Sequence, residues 1–243
     1  MQPSAIRPRR SALYMPAGNP RAIEKARTLA CDAAILDLED SVGPDAKTDA
    51  REMAVAAVRA GGFGPRELVV RANGLDTAWG ADDLAAIAET RPDAVLIPKD
   101  SAPADIAAAR RAVGPDLRLW AMIETPAAIL ALDALGLASA GMGVDVWVLG
   151  VNDLVKAMRC RLGAERAPVL PALSLSVLAA RAHGLAILDG VFNDIGDLDG
   201  LERECLQGSD FGFDGKSLIH PGHLETANRA FSPSPDAVAW AQT

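Results

Sequence analysis

The segment "AAILDLED", residues 33–40, begins with apolar residues and ends in alternating carboxylates that include Asp37 and Glu39. A continuous apolar run of this kind is typical of a parallel strand that is covered on both faces. Because successive side chains point to opposite sides of a strand, Asp37 and Glu39 share one side, and Leu36 and Leu38 share the other. If the leucines pack against helices, the two acids point away from those helices at the carboxyl end of the strand.

Seven other short segments have a similar apolar, strand-forming composition. They are "ALYMPA" (12–17), "ELVVRAN" (67–73), "AVLIPK" (94–99), "LRLWAMIE" (117–124), "VDVWVLG" (144–150), "LAILDGVF" (185–192) and "FGFDGKSLIHP" (211–221). Segments of helical composition separate them, and two of these begin with a cap residue followed by proline, Asn19 with Pro20 and Thr125 with Pro126. A further helix is predicted to start after Ser101 as its cap. Eight strand–helix repeats predict an α/β fold, the (β/α)8 TIM barrel.

An open, doubly wound sheet is the alternative fold for this alternation of strands and helices. Such a sheet normally has a glycine-rich first turn, and the first turn here, "MPAGNP" (15–20), is not G-x-G-x-x-G. No linker or low-complexity tract interrupts the 243 residues. We therefore predict one domain, a (β/α)8 barrel over residues 1–243.

The composition narrows the class of protein. Half of the residues are apolar, only 4% are aromatic, and the formal net charge is −8, which argues against binding to the phosphate backbone of a nucleic acid. The three cysteines form no C-x-x-C pair, and an odd number leaves at least one thiol unpaired, which suits a reducing cytosol. No apolar run approaches the roughly 18 residues that a membrane helix needs. We expect a cytoplasmic protein without membrane contact.

Polar residues follow nearly every predicted strand. In a barrel of this type the catalytic groups lie at the carboxyl ends of the strands. The candidates are Asp37, Glu39, Asp40, Arg71, Asn73, Lys99, Asp100, Glu124, Asn152, Asp153, Asp189, Asn193, Asp194, Lys216 and His220. Because buried carboxylates need cations nearby, such a ring of acids needs positive charge to balance it. Arg71, Lys99 and Lys216 supply some of this charge, and a divalent metal ion would supply more.

Two acids in this ring are the candidate metal ligands. Glu124 in "MIETP" and Asp153 in "GVNDL" follow adjacent predicted strands, so they are expected to lie close enough to share one ion. Two carboxylates, with the other positions left to water and substrate oxygens, are how Mg²⁺ is usually held. The alternative is that Glu124 caps the helix that starts near Pro126 and that Asp153 caps the helix "LVKAMR".

Several motifs, taken in order along the chain, resemble one known family. They are "LYMPAGNPRAIEKA" (13–26), "AAILDLEDSV" (33–42), "VRAN" (70–73), "IPK" (97–99), "MIETP" (122–126), "GVNDL" (150–154) and "GFDGKSLIHPGHLETANRAFSPSP" (212–235). This set is similar to the HpcH/HpaI aldolase superfamily, and within it to the branch of citrate lyase β-subunits and malyl-CoA lyases. The resemblance runs from about Ser11 to the end of the chain.

The resemblance implies a (β/α)8 barrel that assembles as a trimer, or as a hexamer built from trimers. It also implies a Mg²⁺-dependent carbon–carbon lyase acting on acyl thioesters. Glu124 and Asp153 match the metal ligands of the family, and Arg71 matches the arginine that binds the oxo acid. The acids Asp37, Glu39 and Asp40 match groups that surround the metal and the base.

The chain departs from the family pattern at two places. The stretch "GLASAGMGVDVW" (136–147) is slightly longer than in relatives, so Asn152 is an adjacent candidate for the position given to Asp153. Relatives similar to malyl-CoA lyase also continue into a carboxyl-terminal segment that closes over a neighbouring subunit's site and contributes an aspartate. This chain stops at "AVAWAQT" (237–243), so we expect it to lack that lid and that acid.

The predicted reaction is the cleavage of a citryl- or malyl-type acyl thioester to an acetyl thioester and a 2-oxo acid, oxaloacetate or glyoxylate. Mg²⁺ on Glu124 and Asp153 would polarise the reacting carbon, and Arg71 would pair with charge on the oxo acid. The base is left open among Asp37, Glu39, a metal-bound hydroxide and a group from another chain. Asp37 and Glu39 are the catalytic candidates because neighbouring like charges raise the pKa of a carboxylate.

The thiol that carries the acyl group belongs either to coenzyme A or to an acyl carrier protein. Lys99, Lys216, Arg9 and Arg10 are the candidate contacts for the phosphates of that carrier, and Lys99 also joins Arg71, Glu124 and Asp153 as a candidate substrate-binding residue. Two rival functions remain open. One is an aldolase that acts on a free hydroxy-oxo acid, and the other is a non-catalytic subunit that binds metal and oxo acid and needs an acyl-carrier partner.

Overall fold

The computed structural model describes residues 7–99, 101–234 and 238–240. Eight parallel strands pair in chain order, and the first pairs with the last to close a barrel. The strands are β1 Ser11–Pro16, β2 Ala33–Asp37, β3 Glu67–Arg71, β4 Ala94–Ile97, β5 Arg118–Ile123, β6 Val144–Leu149, β7 Ala186–Asp189 and β8 Gly215–Leu218. The predicted (β/α)8 barrel is confirmed.

Helices alternate with these strands and surround the barrel. They are α1 Pro20–Ala26, α2 Lys47–Ala60, α3 Gly80–Thr90, α4 Pro103–Val113, α5 Pro126–Leu130, α6 Leu132–Gly141, α7 Val151–Met158, α8 Leu170–Ala182, α9 Leu198–Phe211 and α10 Leu224–Ala230. In the described part of the chain, no helix has the length and apolarity to cross a membrane.

The core has two layers, one on each side of the barrel wall. Apolar residues such as Ile35 and Trp120 fill the barrel interior, whereas Leu36 and Leu38 belong to the larger cluster between strands and helices. Burying apolar surface on both sides stabilises every strand, which explains the continuous apolar runs in the sequence. Leu36 and Leu38 therefore face the helices, as predicted, and Asp37 faces the barrel mouth.

Several strands end earlier than predicted. The segment 33–40 stops being a strand at Asp37, because the Asp37 carboxylate accepts hydrogen bonds from the backbone N–H groups of Glu39 and Ser41 and turns the chain there. The predicted eighth strand, 211–221, is shorter at both ends: its start belongs to the end of α9 and the following loop.

Two of the three predicted helix starts are confirmed. The Asn19 side chain accepts from the N–H groups of the first turn of α1, and Thr125 Oγ1 accepts from the Ala128 N–H. The third prediction, that Ser101 caps α4, is wrong. Ala102 occupies the cap position, and the Asp105 carboxylate accepts from the Ser101 and Ala102 N–H groups instead.

Candidate active site

The carboxyl ends of the strands surround a cavity of about 290 Å³. Its wall includes Tyr14, Asp37, Arg71, Met122, Glu124 and Asp153, which come from strands around the barrel and from the amino end of α7. Open space between polar side chains at this end of a TIM barrel is the expected position of an active site. The structure therefore brings Arg71, Asp37 and the two candidate metal ligands to one cavity.

Arg71 lies at the centre of the charge on one side of this cavity. Its Nε and Nη2 donate to the two carboxylate oxygens of Asp37 at 2.7 and 2.8 Å, a bidentate pair in which both residues are buried. Burial alone would raise the pKa of Asp37, but the charge and hydrogen bonds of Arg71 outweigh it and hold that pKa below its ordinary value. Asp37 is thus an ionised anchor for Arg71.

Two more acids from the loop after β2 contact the same guanidinium. Arg71 Nη1 lies 2.8 Å from Glu39 Oε2 and 3.1 Å from Asp40 Oδ2. Glu39 is buried, and this burial raises the pKa of its carboxyl group despite the nearby arginine. Asp40 is 69% exposed, so it is the carboxylate that a ligand can most easily displace from Arg71.

Glu124 follows β5 and is only 1% exposed. Its Oε1 accepts a 2.7 Å hydrogen bond from the Lys99 N–H, whereas its Oε2 is buried without a hydrogen-bond partner among the described residues. Burial, and then the negative charges of Glu39 and Asp153, raise the pKa of Glu124 to about 8. A buried carboxyl group with one unpaired oxygen and negative neighbours fits a cation.

Gly150 makes room for this carboxylate. A Cβ atom at Gly150 would lie 2.3 Å from Glu124 Cβ and 2.4 Å from Glu124 Oε2, distances that no side chain can occupy. Glycine at this position therefore lets Glu124 pack directly on the chain that connects β6 to α7.

Asp153 lies in the first turn of α7, in the wall of the cavity, and is half-buried. The rival capping role for this pair is not seen. Thr125, not Glu124, caps α5, and the cap position of α7 is Gly150 with no side-chain hydrogen bond. Asn152, the adjacent candidate, is exposed and exchanges two amide hydrogen bonds with Asn193.

The donor set at this wall fits Mg²⁺. Glu124 and Asp153 offer carboxylate oxygens from adjacent strand ends, which is the hard oxygen environment that this ion prefers. Across the described ranges, no group of three or more His, Cys, Asp or Glu side chains is placed to hold a metal ion. An ion on this pair would therefore keep positions for water and substrate oxygens.

Lys99 contributes to the site through both its backbone and its side chain. Its φ of 61° lies in the left-handed region, which a lysine seldom adopts, and this conformation accompanies the N–H donated to Glu124. Its Nζ is 3.4 Å from Glu39 Oε1, and the side chain is 48% exposed. Asp100, the next candidate along the chain, lies outside the described residues.

The sequence did not predict the two residues at the floor of the cavity, Tyr14 and Met122. Tyr14 lies beneath Arg71, whose guanidinium carbon is 4.6 Å from the centre of the Tyr14 ring, and the Tyr14 hydroxyl lies 3.9 Å from Met122 Sδ. Burial raises the pKa of the Tyr14 phenol above its usual value, although the charge of Arg71 opposes this, so the hydroxyl keeps its proton. The alternation along β1 could have indicated an inward-facing tyrosine, since Ala12 also faces the interior.

Two predicted mouth residues, Asp189 and Lys216, belong to a different cluster. Lys216 is 0% exposed, and its Nζ lies 3.0 Å from Asp189 Oδ2 and 2.7 Å from Glu204 Oε1. Arg166 Nη1 also contacts Asp189 at 2.8 Å. Lys216 is the second residue of β8 and points outward, toward α9, so its predicted role as a contact for a carrier phosphate is wrong.

Arg9 and Arg10 are also wrongly predicted as carrier contacts. They lie at the amino end of β1, at the opposite end of the barrel from the cavity. Arg9 makes two hydrogen bonds with the buried Glu67, and Arg10 makes a bidentate pair with Asp32. These pairs stabilise the amino-terminal face of the barrel.

Comparison with known proteins identifies the family to which the chain is similar. Residues 10–221 match the family model described as HpcH/HpaI aldolase/citrate lyase. A (3S)-malyl-CoA thioesterase of Cereibacter sphaeroides is 50% identical over 228 residues, which cover 94% of this chain and 79% of that protein. An L-malyl-CoA/beta-methylmalyl-CoA lyase of the same species is 33% identical and covers 99% of this chain and 84% of its own length.

A solved structure from the same group of proteins is also similar to this chain. The citrate lyase beta subunit from M. tuberculosis, complexed with oxaloacetate and magnesium, superposes with a TM-score of 0.80 at 29% identity, covering 93% of this chain and 98% of that one. The family match covers most of the chain. The cavity lies at the carboxyl ends of the strands of a closed barrel, which is where the active site of a TIM barrel is expected. The chain therefore belongs to the HpcH/HpaI aldolase/citrate lyase family.

Proposed function

We propose that the protein is a Mg²⁺-dependent enzyme that hydrolyses a malyl-type acyl-CoA thioester, releasing the free hydroxy acid and coenzyme A. The observation that carries the proposal is the buried Glu124 carboxylate, with one unpaired oxygen, beside Asp153 in a cavity that also contains Arg71. The 50% identity to a (3S)-malyl-CoA thioesterase supports hydrolysis as the reaction.

Glu124 and Asp153 would hold the metal ion. The bound ion would act as a Lewis acid on substrate oxygens. The M. tuberculosis relative, solved with oxaloacetate and magnesium, supports the pairing of this ion with a small acid. Lys99 supports the site by donating its N–H to Glu124 Oε1, which keeps that carboxylate in one orientation.

Arg71 would bind the carboxylate of the acid. Asp37 holds the guanidinium from one edge through two hydrogen bonds, and the exposed Asp40 occupies the position that a substrate carboxylate would take over. Glu39 suits the role of proton acceptor better than Asp37, because its pKa is raised by burial while that of Asp37 is lowered. The half-exposed Lys99 side chain remains a candidate contact for the thioester carrier.

Carbon–carbon cleavage is the second candidate reaction. It would convert malyl-CoA to acetyl-CoA and glyoxylate, and the 33% identity to a lyase acting on L-malyl-CoA and beta-methylmalyl-CoA favours it. Both candidate reactions would start from the same acyl thioester. An aldolase that acts without a thioester and a non-catalytic subunit are the remaining alternatives.

Product analysis separates hydrolysis of the thioester from carbon–carbon cleavage. Malyl-CoA, citryl-CoA and beta-methylmalyl-CoA would each be incubated with the protein and Mg²⁺, and free thiol, free hydroxy acid, acetyl-CoA and oxo acid would be measured together. The proposal predicts free thiol and malate from malyl-CoA, with no acetyl-CoA. Acetyl-CoA with glyoxylate would establish the lyase, and no product from any thioester would contradict both. Light scattering of the same sample tests the trimer that the family resemblance implies.

A further inference from the structure

The floor of the cavity contains a hydroxyl group that the proposed function does not use. Tyr14 is the only tyrosine in the chain, and it lies in the inner wall of the barrel beside Met122. Its ring packs under the Arg71 guanidinium at 4.6 Å, and its hydroxyl lies 3.9 Å from Met122 Sδ.

The contacts of this hydroxyl are weak. Among the described residues, the hydrogen-bond acceptor that it meets is Met122 Sδ, at 3.9 Å, and a thioether is a poor acceptor. Arg71 Nη1 also reaches this sulfur, at 3.7 Å, in addition to its contacts with Glu39 and Asp40. Two donors thus converge on one poor acceptor at the floor of an open cavity.

A buried hydroxyl normally has a good acceptor, because leaving it without one costs free energy. Tyr14 is only partly buried and opens into the cavity, so a ligand can supply the missing acceptor. A carboxylate bound by Arg71 would carry its second oxygen to the neighbouring donor, which is the Tyr14 hydroxyl.

We propose that Tyr14 is a substrate-binding residue whose hydroxyl donates a hydrogen bond to a carboxylate oxygen of the acid held by Arg71. The inference rests on the proposed function, since it takes the acid of a malyl-type thioester as the ligand. No bond is made or broken by Tyr14 in this role; the phenol keeps its proton and orients the acid. Met122 keeps the hydroxyl free by offering only a weak contact.

Tyr14→Phe is a suitable variant because it removes only the hydroxyl and keeps the ring that packs against Arg71. A hydrogen bond to a charged acceptor contributes about 1.5–3 kcal/mol, so malate should bind roughly 10- to 150-fold more weakly. Thermal unfolding should not change, since the lost contact is to a thioether. Thr90→Val is the matched control. It removes a hydroxyl that donates to the Ala86 and Ile87 carbonyls of α3, and Thr90 is not in the wall of the cavity, so malate binding should be unchanged.

A single tyrosine also gives a direct spectroscopic readout. Protein labelled with 3-fluorotyrosine has one ¹⁹F resonance, which reports on Tyr14 alone. Malate titrated in the presence of Mg²⁺ should shift this resonance over the same concentrations at which calorimetry detects binding. The dissociation constant of malate and the kcat/KM for malyl-CoA would be measured for both variants and the wild type.

The outcomes separate the inference from the proposed function. A shifted resonance with weakened malate binding in Tyr14→Phe supports the inference. A resonance that does not move at saturating malate, or wild-type malate affinity and kcat/KM in Tyr14→Phe, overturns the inference while leaving the hydrolase intact. A wild-type protein that neither binds malate nor turns over malyl-CoA overturns both.

Discussion

The carboxylate of Asp37 accepts two hydrogen bonds from the guanidinium of Arg71, and the two residues are direct partners in the neighbouring strands β2 and β3. Their pairing explains why so much negative charge follows the apolar residues 33–36. The acids surround one buried arginine, and the closed barrel aims that arginine at the cavity.

The first prediction concerns the strength of this pair. Asp37→Asn should destabilise the fold by about 3–5 kcal/mol, because it leaves a buried guanidinium without its bidentate partner. It should also lower kcat/KM, since Arg71 loses its orientation. Urea unfolding and steady-state kinetics check both effects. Asp40→Asn is the control, because this exposed contact with Arg71 should contribute less than about 1 kcal/mol; equal losses from the two variants would contradict the account.

The second prediction concerns the free energy of unfolding at low pH. The folded-state pKa of Asp37 is lower than its ordinary value of 3.8, so its ion pair stabilises the fold fully above that value. The stabilisation is lost as the pH falls through the folded-state pKa. Unfolding free energies measured from pH 6 down to pH 2 should therefore fall less steeply in Asp37→Asn than in the wild type. Identical slopes would show that Asp37 does not contribute to the acid sensitivity.

Much of this arrangement follows from the sequence. The apolar runs predict eight parallel strands, and the alternation in 33–40 predicts that Asp37 points toward the mouth while Leu36 faces the helices. Both follow from local rules, namely the period of two along a strand and the burial of both faces in a parallel barrel.

The errors came from positions where local rules do not fix the geometry. The predicted strand 211–221 extended past the true strand at both ends, so it did not indicate which side of the barrel Lys216 faces. The true strand begins at Gly215, and Lys216 points outward. Tyr14 and Met122 were missed because they look like ordinary apolar strand residues. Their role depends on Arg71 packing across the barrel, which is a contact distant in sequence.

The third prediction concerns Gly150. Gly150→Ala should lower both Mg²⁺ affinity and turnover by at least about 10-fold, because the added Cβ would displace the Glu124 carboxylate. Calorimetric titration of Mg²⁺ and a turnover assay measure the two losses. Gly141→Ala, where an added Cβ has nothing within 4 Å, is the matched control and should behave as the wild type.

The fourth prediction separates structural from substrate-binding lysines. Lys216→Met should destabilise the fold by about 3–5 kcal/mol, because it removes a buried cation from Asp189 and Glu204, yet the folded fraction should keep the wild-type KM for the thioester. Lys99→Met should do the reverse, raising KM with a stability loss below about 1 kcal/mol, since its side chain is half exposed. A raised KM in Lys216→Met would restore Lys216 as a substrate contact.

Calorimetric titration of Mg²⁺ into the wild type and Glu124→Gln, with malyl-CoA turnover followed in the same samples, would decide whether Glu124 holds the metal ion of the active site. Gln keeps the shape of the side chain but removes the charge that pairs with the ion. We predict that the wild type binds Mg²⁺ and consumes malyl-CoA, that a chelator abolishes turnover, and that Glu124→Gln, although folded, loses both. Wild-type Mg²⁺ binding and turnover in Glu124→Gln would contradict the assignment of this cavity as the metal-dependent active site.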